Sequence, residues 1–293
     1  MTETRNAYAP MPARIEDLES LAPHLEVLRE ANLDHHERLI REAVAAGVQM
    51  IGLGELFAAP YFAATKIEMW KALAESAEDG PTVRRMSALA EELQIVIVAP
   101  IYELAPDGRR FNAAVVLDAD GKNLGRYRKT HIPHGSNEKG TFFEGFYYGR
   151  ADEADGDLFP VFATRYATIG VAICYDRHFE GVMRTLKRRG AELVFSPAVT
   201  FGEKSERMWM MEFLVDAARH RLFIAGSNRY GVEPPFAVHY FGESYVAGPN
   251  GPIENDRSHE GLVLADVDLE LLRRPDPSGW KLVEDQRPDQ YDA

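Results

Sequence analysis

Cys174 is the one cysteine of the 293-residue chain. It closes the apolar run Ala167-Thr168-Ile169-Gly170-Val171-Ala172-Ile173 and is followed at once by Tyr175-Asp176-Arg177-His178. A run so rich in β-branched residues predicts a buried strand, and residues 179–189 read as a helix. A thiol between a strand end and a helix start faces backbone N–H groups and the positive end of a helix dipole, which favours thiolate and nucleophilic attack. The alternative is a buried cysteine that packs as a small hydrophobe.

Glu55 and Lys129 end two other predicted strands. A carboxylate directly after a buried strand faces either water or a site. Lys129 is either one more member of the basic run with Arg126 and Arg128 or an ammonium turned inward. Together the three residues supply a nucleophile, a base and a cationic partner for an oxyanion, the set that acyl transfer from an amide requires. A histidine base is the competing arrangement, with His131, His134, His178 and His220 as candidates. His35-His36 and His131-x-x-His134 resemble metal pairs only weakly, and no Cys or carboxylate cluster completes either, so no metal is expected. Cysteine and carboxylates carry this chemistry alone, so no cofactor is expected.

The elements that must position these residues alternate in kind. Residues 21–46 have apolar positions at helical spacing, 48–53 form a short buried strand, and Gly80-Pro81-Thr82 opens a helix to about 93. Residues 95–104 and 111–117 are strands, with a turn at Asp120-Gly121. Residues 130–160 are Gly-, His-, Pro- and aromatic-rich with little periodicity, a loop long enough to be functional. Then come the strand to Cys174, a helix, a strand over 193–196, a helix over about 206–220, and strands over 222–227, 243–247 and 261–267. Continuous apolar strands alternating with helices predict an α/β protein whose sheets are covered on their faces. Hairpin-like segments near 111–128 and 243–267 make the sheets mixed.

Composition narrows the partners. A net charge of -13 argues against general nucleic-acid binding, while a pocket on an acidic protein can still carry local positive charge. No apolar run approaches a membrane span, and the first residues lack the layout of a signal peptide. A lone cysteine points to a reducing compartment and a cytoplasmic location. The length admits one large domain or two.

Glu55 in Gly-Glu-Leu-Phe, Lys129 in Tyr-Arg-Lys-Thr-His-Ile-Pro and Cys174 in Ala-Ile-Cys-Tyr-Asp resemble the Glu–Lys–Cys set of the nitrilase superfamily of carbon-nitrogen hydrolases. Within it the chain is most similar to the β-ureidopropionases, through residues 74–82, 129–133, 173–178, 227–229 and 244–247. The resemblance spans about residues 30–285. It implies a single domain over 1–293, with 1–20 a loose lead-in and 268–293 a C-terminal tail, folded as a four-layer αββα sandwich with mixed sheets. It implies homodimers or larger homo-oligomers assembled through the cysteine-bearing layer.

The resemblance also implies a second glutamate; Glu144 matches that motif best, with Glu138 as competitor. On this reading Glu55 is the base, the Lys129 ammonium and the Tyr175 N–H hold the oxyanion, and Glu144 orients Lys129 and Glu55. Arg177 matches a position that contacts a substrate carboxylate in relatives acting on N-carbamoyl amino acids, which points to a ureido acid such as N-carbamoyl-β-alanine. Its alternative role is to cap or salt-bridge the following helix. His131, Asn228 and Tyr245 line the pocket or simply pack. The competing functions are an amidase for another N-carbamoyl compound or a simple amide, and a catalytically silent binding protein.

Overall fold

The computed structural model describes residues 1–287 and 290. The chain begins with α1 (Leu25–Ala45), β1 (Met50–Gly52) and α2 (Pro81–Leu93), then runs through β2 (Val96–Leu104), β3 (Arg110–Leu117) and β4 (Asn123–Arg128). These four strands form one sheet in the order β1-β2-β3-β4. β1 and β2 are parallel, and β3 is antiparallel to both its neighbours, so β1, β2 and β4 run the same way.

A hairpin of β5 (Gly135–Asn137) and β6 (Gly140–Phe142) and a single turn of helix, α3 (Glu144–Tyr147), occupy the stretch that reads as irregular in sequence. Next come β7 (Val161–Ala163), β8 (Thr168–Val171), α4 (Glu180–Arg188), β9 (Leu193–Ala198), α5 (Glu203–His220) and β10 (Phe223–Asn228). The chain ends with a hairpin of β11 (Tyr230–Glu233) and β12 (Val238–Phe241), then β13 (Tyr245–Gly248) and β14 (Gly251–Pro252). The second sheet has the order β14-β13-β10-β9-β8-β7, with β8, β9 and β10 parallel.

Alternation along the strands builds the layers. Ile97, Ala99 and Val115 face Leu39, Ile40, Val83 and Met86 of α1 and α2. The intervening Val96, Val98, Ala114 and Val116 pack into a second cluster with Ile169, Val171 and Phe195 of the other sheet. Met183 and Leu186 of α4 and Trp209 and Phe213 of α5 close that cluster from the far side. The result is helix, sheet, sheet, helix, the α/β sandwich expected. Gly52 lets the sheets meet: a Cβ there would lie 2.5 Å from the Phe195 ring.

Two expectations fail, and one element is not foreseen in the sequence. Residues 261–267 form no strand; among the described residues their only β-pairing is the isolated bridges Thr2 with Leu262 and Asp256 with Leu264. The segment is buried without a ladder, because Leu262 joins the α1–α2 cluster while Val263 enters the inter-sheet core. The lead-in is not loose at its start: Met1 and Thr2 are buried, and the Thr2 carbonyl and hydroxyl accept from Ser227 Oγ and Gly54 N. The β11–β12 hairpin, absent from the sequence reading, folds over the loop behind Glu55. Among the described residues no helix is long and apolar enough to cross a membrane.

Candidate active site

The carboxyl ends of β1, β4, β8, β9 and β10 converge, the usual place for a site on parallel strands. Glu55 lies just past β1, Lys129 just past β4, Cys174 just past β8, Val199 just past β9, and Asn228 ends β10. Apolar strands drive these ends into the interior, and their polar residues are buried with them.

Lys129 is fully buried, and its ammonium donates to Glu55 Oε1 at 2.9 Å and to Glu144 Oε2 at 2.7 Å. Glu55 Oε1 also accepts from Asn112 Nδ2 at 2.7 Å, and Oε2 from the Val199 N–H at 2.7 Å. Glu144 Oε1 accepts from the Tyr61 hydroxyl at 3.0 Å. A charge this deep is tolerated only when paired and hydrogen-bonded, and here each carboxylate oxygen has a donor. Burial opposes the charge on Lys129, but the carboxylates of Glu144 and Glu55 outweigh it and raise its pKa. Burial raises the pKa of Glu144, with Lys129 pulling the other way.

Glu144, and not Glu138, stands against Lys129. α3 is anchored where Tyr147 donates to the Thr65 carbonyl at 2.8 Å and Phe143 N–H to the Ala63 carbonyl at 2.8 Å. Glu138 sits on the surface at the start of α5, accepting from the Glu203 N–H at 2.6 Å.

Cys174 opens a 3-10 turn over Cys174–His178 with φ at +51°, a left-handed conformation rare for a residue with a side chain. Its sulfur lies 3.9 Å from the Val199 carbonyl. The same residue's N–H holds Glu55, so nucleophile and carboxylate meet at one residue. The first N–H groups of a turn have no partner inside it, and that of Tyr175 is among them. The thiolate expectation is corrected here. Burial first, then the Glu55 carboxylate, push the thiol up to about 12, against the pull of Lys129 and Arg177. The helix that follows starts only at Glu180, too far along to reverse this. A thiol held neutral must lose its proton to a base during attack.

The second tier of predicted residues divides. Arg177 is buried, donating to the Cys174 carbonyl at 2.8 Å and to Ser205 Oγ at 2.9 Å, with its Nη1 3.9 Å from the sulfur. It does not cap α4; its ionic partner is Glu212 of α5, at 3.3 Å, which also takes His178 Nδ1 at 2.6 Å. Asn228 ties β10 to the Thr200 backbone, accepting at 2.9 Å and donating at 3.2 Å. His131 donates its Nδ1–H to Asp176 at 2.7 Å. The Tyr175 ring packs on His178 and Phe179. Tyr245 is a packing residue: its hydroxyl donates to the Trp209 carbonyl at 2.9 Å and its ring faces Phe213.

Of the other histidines weighed as bases, His178 is taken by Glu212 and His220 sits on the far end of α5 beside Asp216. Among the described residues no group of three or more His, Cys, Asp or Glu could hold a metal.

Arg229 has no role assigned by the sequence reading. Its guanidinium donates to the carbonyls of Glu55 at 3.2 Å, Leu56 at 3.0 Å and Ala59 at 2.7 Å, and pairs with Glu233. Glu233 in turn accepts from the Tyr61 N–H at 3.0 Å. The loop carrying Glu55, with Leu56 at φ +50°, is thereby pinned from the β11–β12 hairpin. Only its place in Ser227-Asn228-Arg229 drew attention to it.

Residues 22–274 match the family model described as carbon-nitrogen hydrolase. The chain is 35% identical to an N-carbamoylputrescine amidase of Arabidopsis thaliana over 274 residues, 89% of this chain and 88% of that one. It is 33% identical to a beta-ureidopropionase of the same plant over 269 residues, 85% of this chain and 64% of that one. A carbon-nitrogen hydrolase structure from Helicobacter pylori G27 superposes with a TM-score of 0.77 at 27% identity, covering 90% of this chain and 92% of that one.

Proposed function

Because the chain belongs to the carbon-nitrogen hydrolase family, within the nitrilase superfamily, we propose that it hydrolyses the C–N bond of an N-carbamoyl compound through a thioester on Cys174. The observation that carries this reading is the buried Lys129 ammonium bridging Glu55 and Glu144, with Glu55 and Cys174 both held against Val199.

Glu55 takes the thiol proton as sulfur attacks the carbamoyl carbon. The oxyanion forms between the Lys129 ammonium and the Tyr175 N–H; a donor fixed where charge develops contributes about 3–4 kcal/mol. Glu55 returns the proton to the departing ammonia, leaving the carbamoyl group on sulfur. Water, deprotonated by the same carboxylate, cleaves the thioester. The released carbamic acid gives carbon dioxide and a free amine.

Arg177 decides the substrate's other end. It lies beside the sulfur, and a guanidinium binds a carboxylate through two parallel hydrogen bonds, which supports a ureido acid such as N-carbamoyl-β-alanine. A second reading is a ureido amine. Glu212 already neutralises Arg177, and the N-carbamoylputrescine amidase likeness extends over 89% of the chain.

Ammonia release from a panel of ureido acids, ureido amines and plain amides tests all of this. Higher kcat/KM for N-carbamoyl-β-alanine upholds the first tail, and higher kcat/KM for N-carbamoylputrescine the second. Cleavage of plain amides alone makes it a simple amidase, and no turnover at all makes it a silent binder.

Phe179, Met210, Met211 and Val215 are exposed on the cysteine-bearing layer. They support a homodimer through that face, which light scattering would show as twice the chain mass. The free thiol supports a cytoplasmic site of action, and the family match over 22–274 supports a single domain.

A further inference from the structure

Asp176 is fully buried, yet no predicted role uses it. Its carboxylate collects five donors. Oδ2 accepts from the Tyr127 hydroxyl at 2.6 Å and the Ile173 N–H at 2.9 Å. Oδ1 accepts from Thr130 Oγ1 at 3.0 Å, the His131 N–H at 3.0 Å and His131 Nδ1 at 2.7 Å. Tyr127, Thr130 and His131 flank Lys129 on both sides, and Ile173 directly precedes Cys174. Lys129 leaves the first sheet and Cys174 the second. Among the described residues, each hydrogen bond that links 127–131 to 173–178 ends on Asp176. Just beyond, the His131 ring stacks on Phe179, with centroids 3.8 Å apart.

We propose that Asp176 is a positioning residue that sets the separation between the Lys129 ammonium and the Cys174 sulfur by clamping the two sheets together at the site. The inference rests on the reading of Lys129 and Cys174 as oxyanion partner and nucleophile. Two peptide segments from different sheets have no shared ladder to fix their spacing. A buried carboxylate with strong, charge-assisted bonds to both supplies one. An amide in its place keeps the shape but turns one acceptor into a donor facing other donors. That leaves buried N–H or O–H groups unmatched and pushes the segments apart.

The test pairs crystal structures with kinetics for the wild type and Asp176→Asn. The distance between Lys129 Nζ and Cys174 Sγ is expected to grow by about 0.5 Å or more, beyond the tolerance of a preorganised site. Ammonia release is expected to lose about 10²-fold in kcat with KM within about threefold, the signature of misplaced reacting groups. A merely structural role would lower the melting temperature and leave the kcat of the folded fraction unchanged; that result overturns the proposal, as does an unchanged distance. The structures answer independently of substrate. A wild type that turns over nothing would therefore refute the proposed function, and the clamp would then stand or fall on that distance alone. Should Asp176→Asn fail to fold, Tyr127→Phe with Thr130→Val removes two of the five donors and keeps the carboxylate. A fivefold or greater kcat loss at constant KM supports the proposal, and wild-type kcat overturns it.

Discussion

Two buried ionic groups flank the sulfur of Cys174, and they differ in how completely their hydrogen bonds are matched. Around Lys129 the charges are matched: each oxygen of Glu55 and Glu144 has a donor within about 3 Å, the ammonium lies between both carboxylates, and only the neutral Asn112 Oδ1 is buried without a partner among the described residues there. Around Arg177 the match is open. Arg177 Nε and Glu212 Oε2 are buried without a hydrogen bond although they sit 3.3 Å apart. A closed network in a low-dielectric interior has one arrangement and resists change. An imperfect pair keeps unused capacity that a ligand can take up. Under the proposed function, the first group carries the shared bond-breaking chemistry and the second the choice of substrate.

The hardest blow to the closed group is Glu55→Gln, which preserves volume and removes the base. Turnover should fall by about 10²–10⁴-fold while calorimetry finds substrate affinity within threefold; retained turnover would hand the base to a histidine. Lys129→Met leaves two carboxylates buried without their cation and should cost about 3–5 kcal/mol of stability. Denaturant unfolding measures it, and a loss below about 1 kcal/mol would mean the cluster is not closed as described.

The open group should respond in specificity rather than in fold. Arg177→Gln is expected to lower kcat/KM for a ureido acid by about 10–100-fold, the scale of one or two hydrogen bonds to a charged group, with a ureido amine changed less than threefold. Equal effects on both substrates would dissolve the distinction between the two groups.

The smallest effect is one of pH. The folded thiol of Cys174 keeps its proton up to about 12, against an unfolded value near 9. Above pH 9 the unfolded chain therefore binds fewer protons than the folded one, and stability falls as pH rises. Relative to Cys174→Ala, the wild type should lose up to about 1.4 kcal/mol per pH unit between pH 9 and 11. Parallel stability curves for the two proteins would mean that the thiol is not held neutral by burial and Glu55.

Much of the scaffold is legible from periodicity because it follows local rules. The runs at 95–104, 111–117, 193–196 and 222–227 are apolar on both faces, and strands with helices on one side and a second sheet on the other must be so. Pro81 and the polar break before it mark the start of α2. Residues 261–267 mislead for a physical reason: Leu262 and Val263 alternate like a strand but bury into two different clusters, which needs no ladder partner.

The amino-acid sequence alone determined which residue types reach the carboxyl ends of the strands, since a strand pattern dictates where each apolar run stops and which polar residue comes next. Only the tertiary structure decided which of them touch. Glu144 rather than Glu138 reaches Lys129, Arg177 turns to Glu212 rather than along its own helix, and Asp176 and Arg229 hold the segments on either side. Those pairings form between residues 15 to 174 positions apart. Their partners are chosen by how two sheets pack, and no pattern within a single segment encodes that.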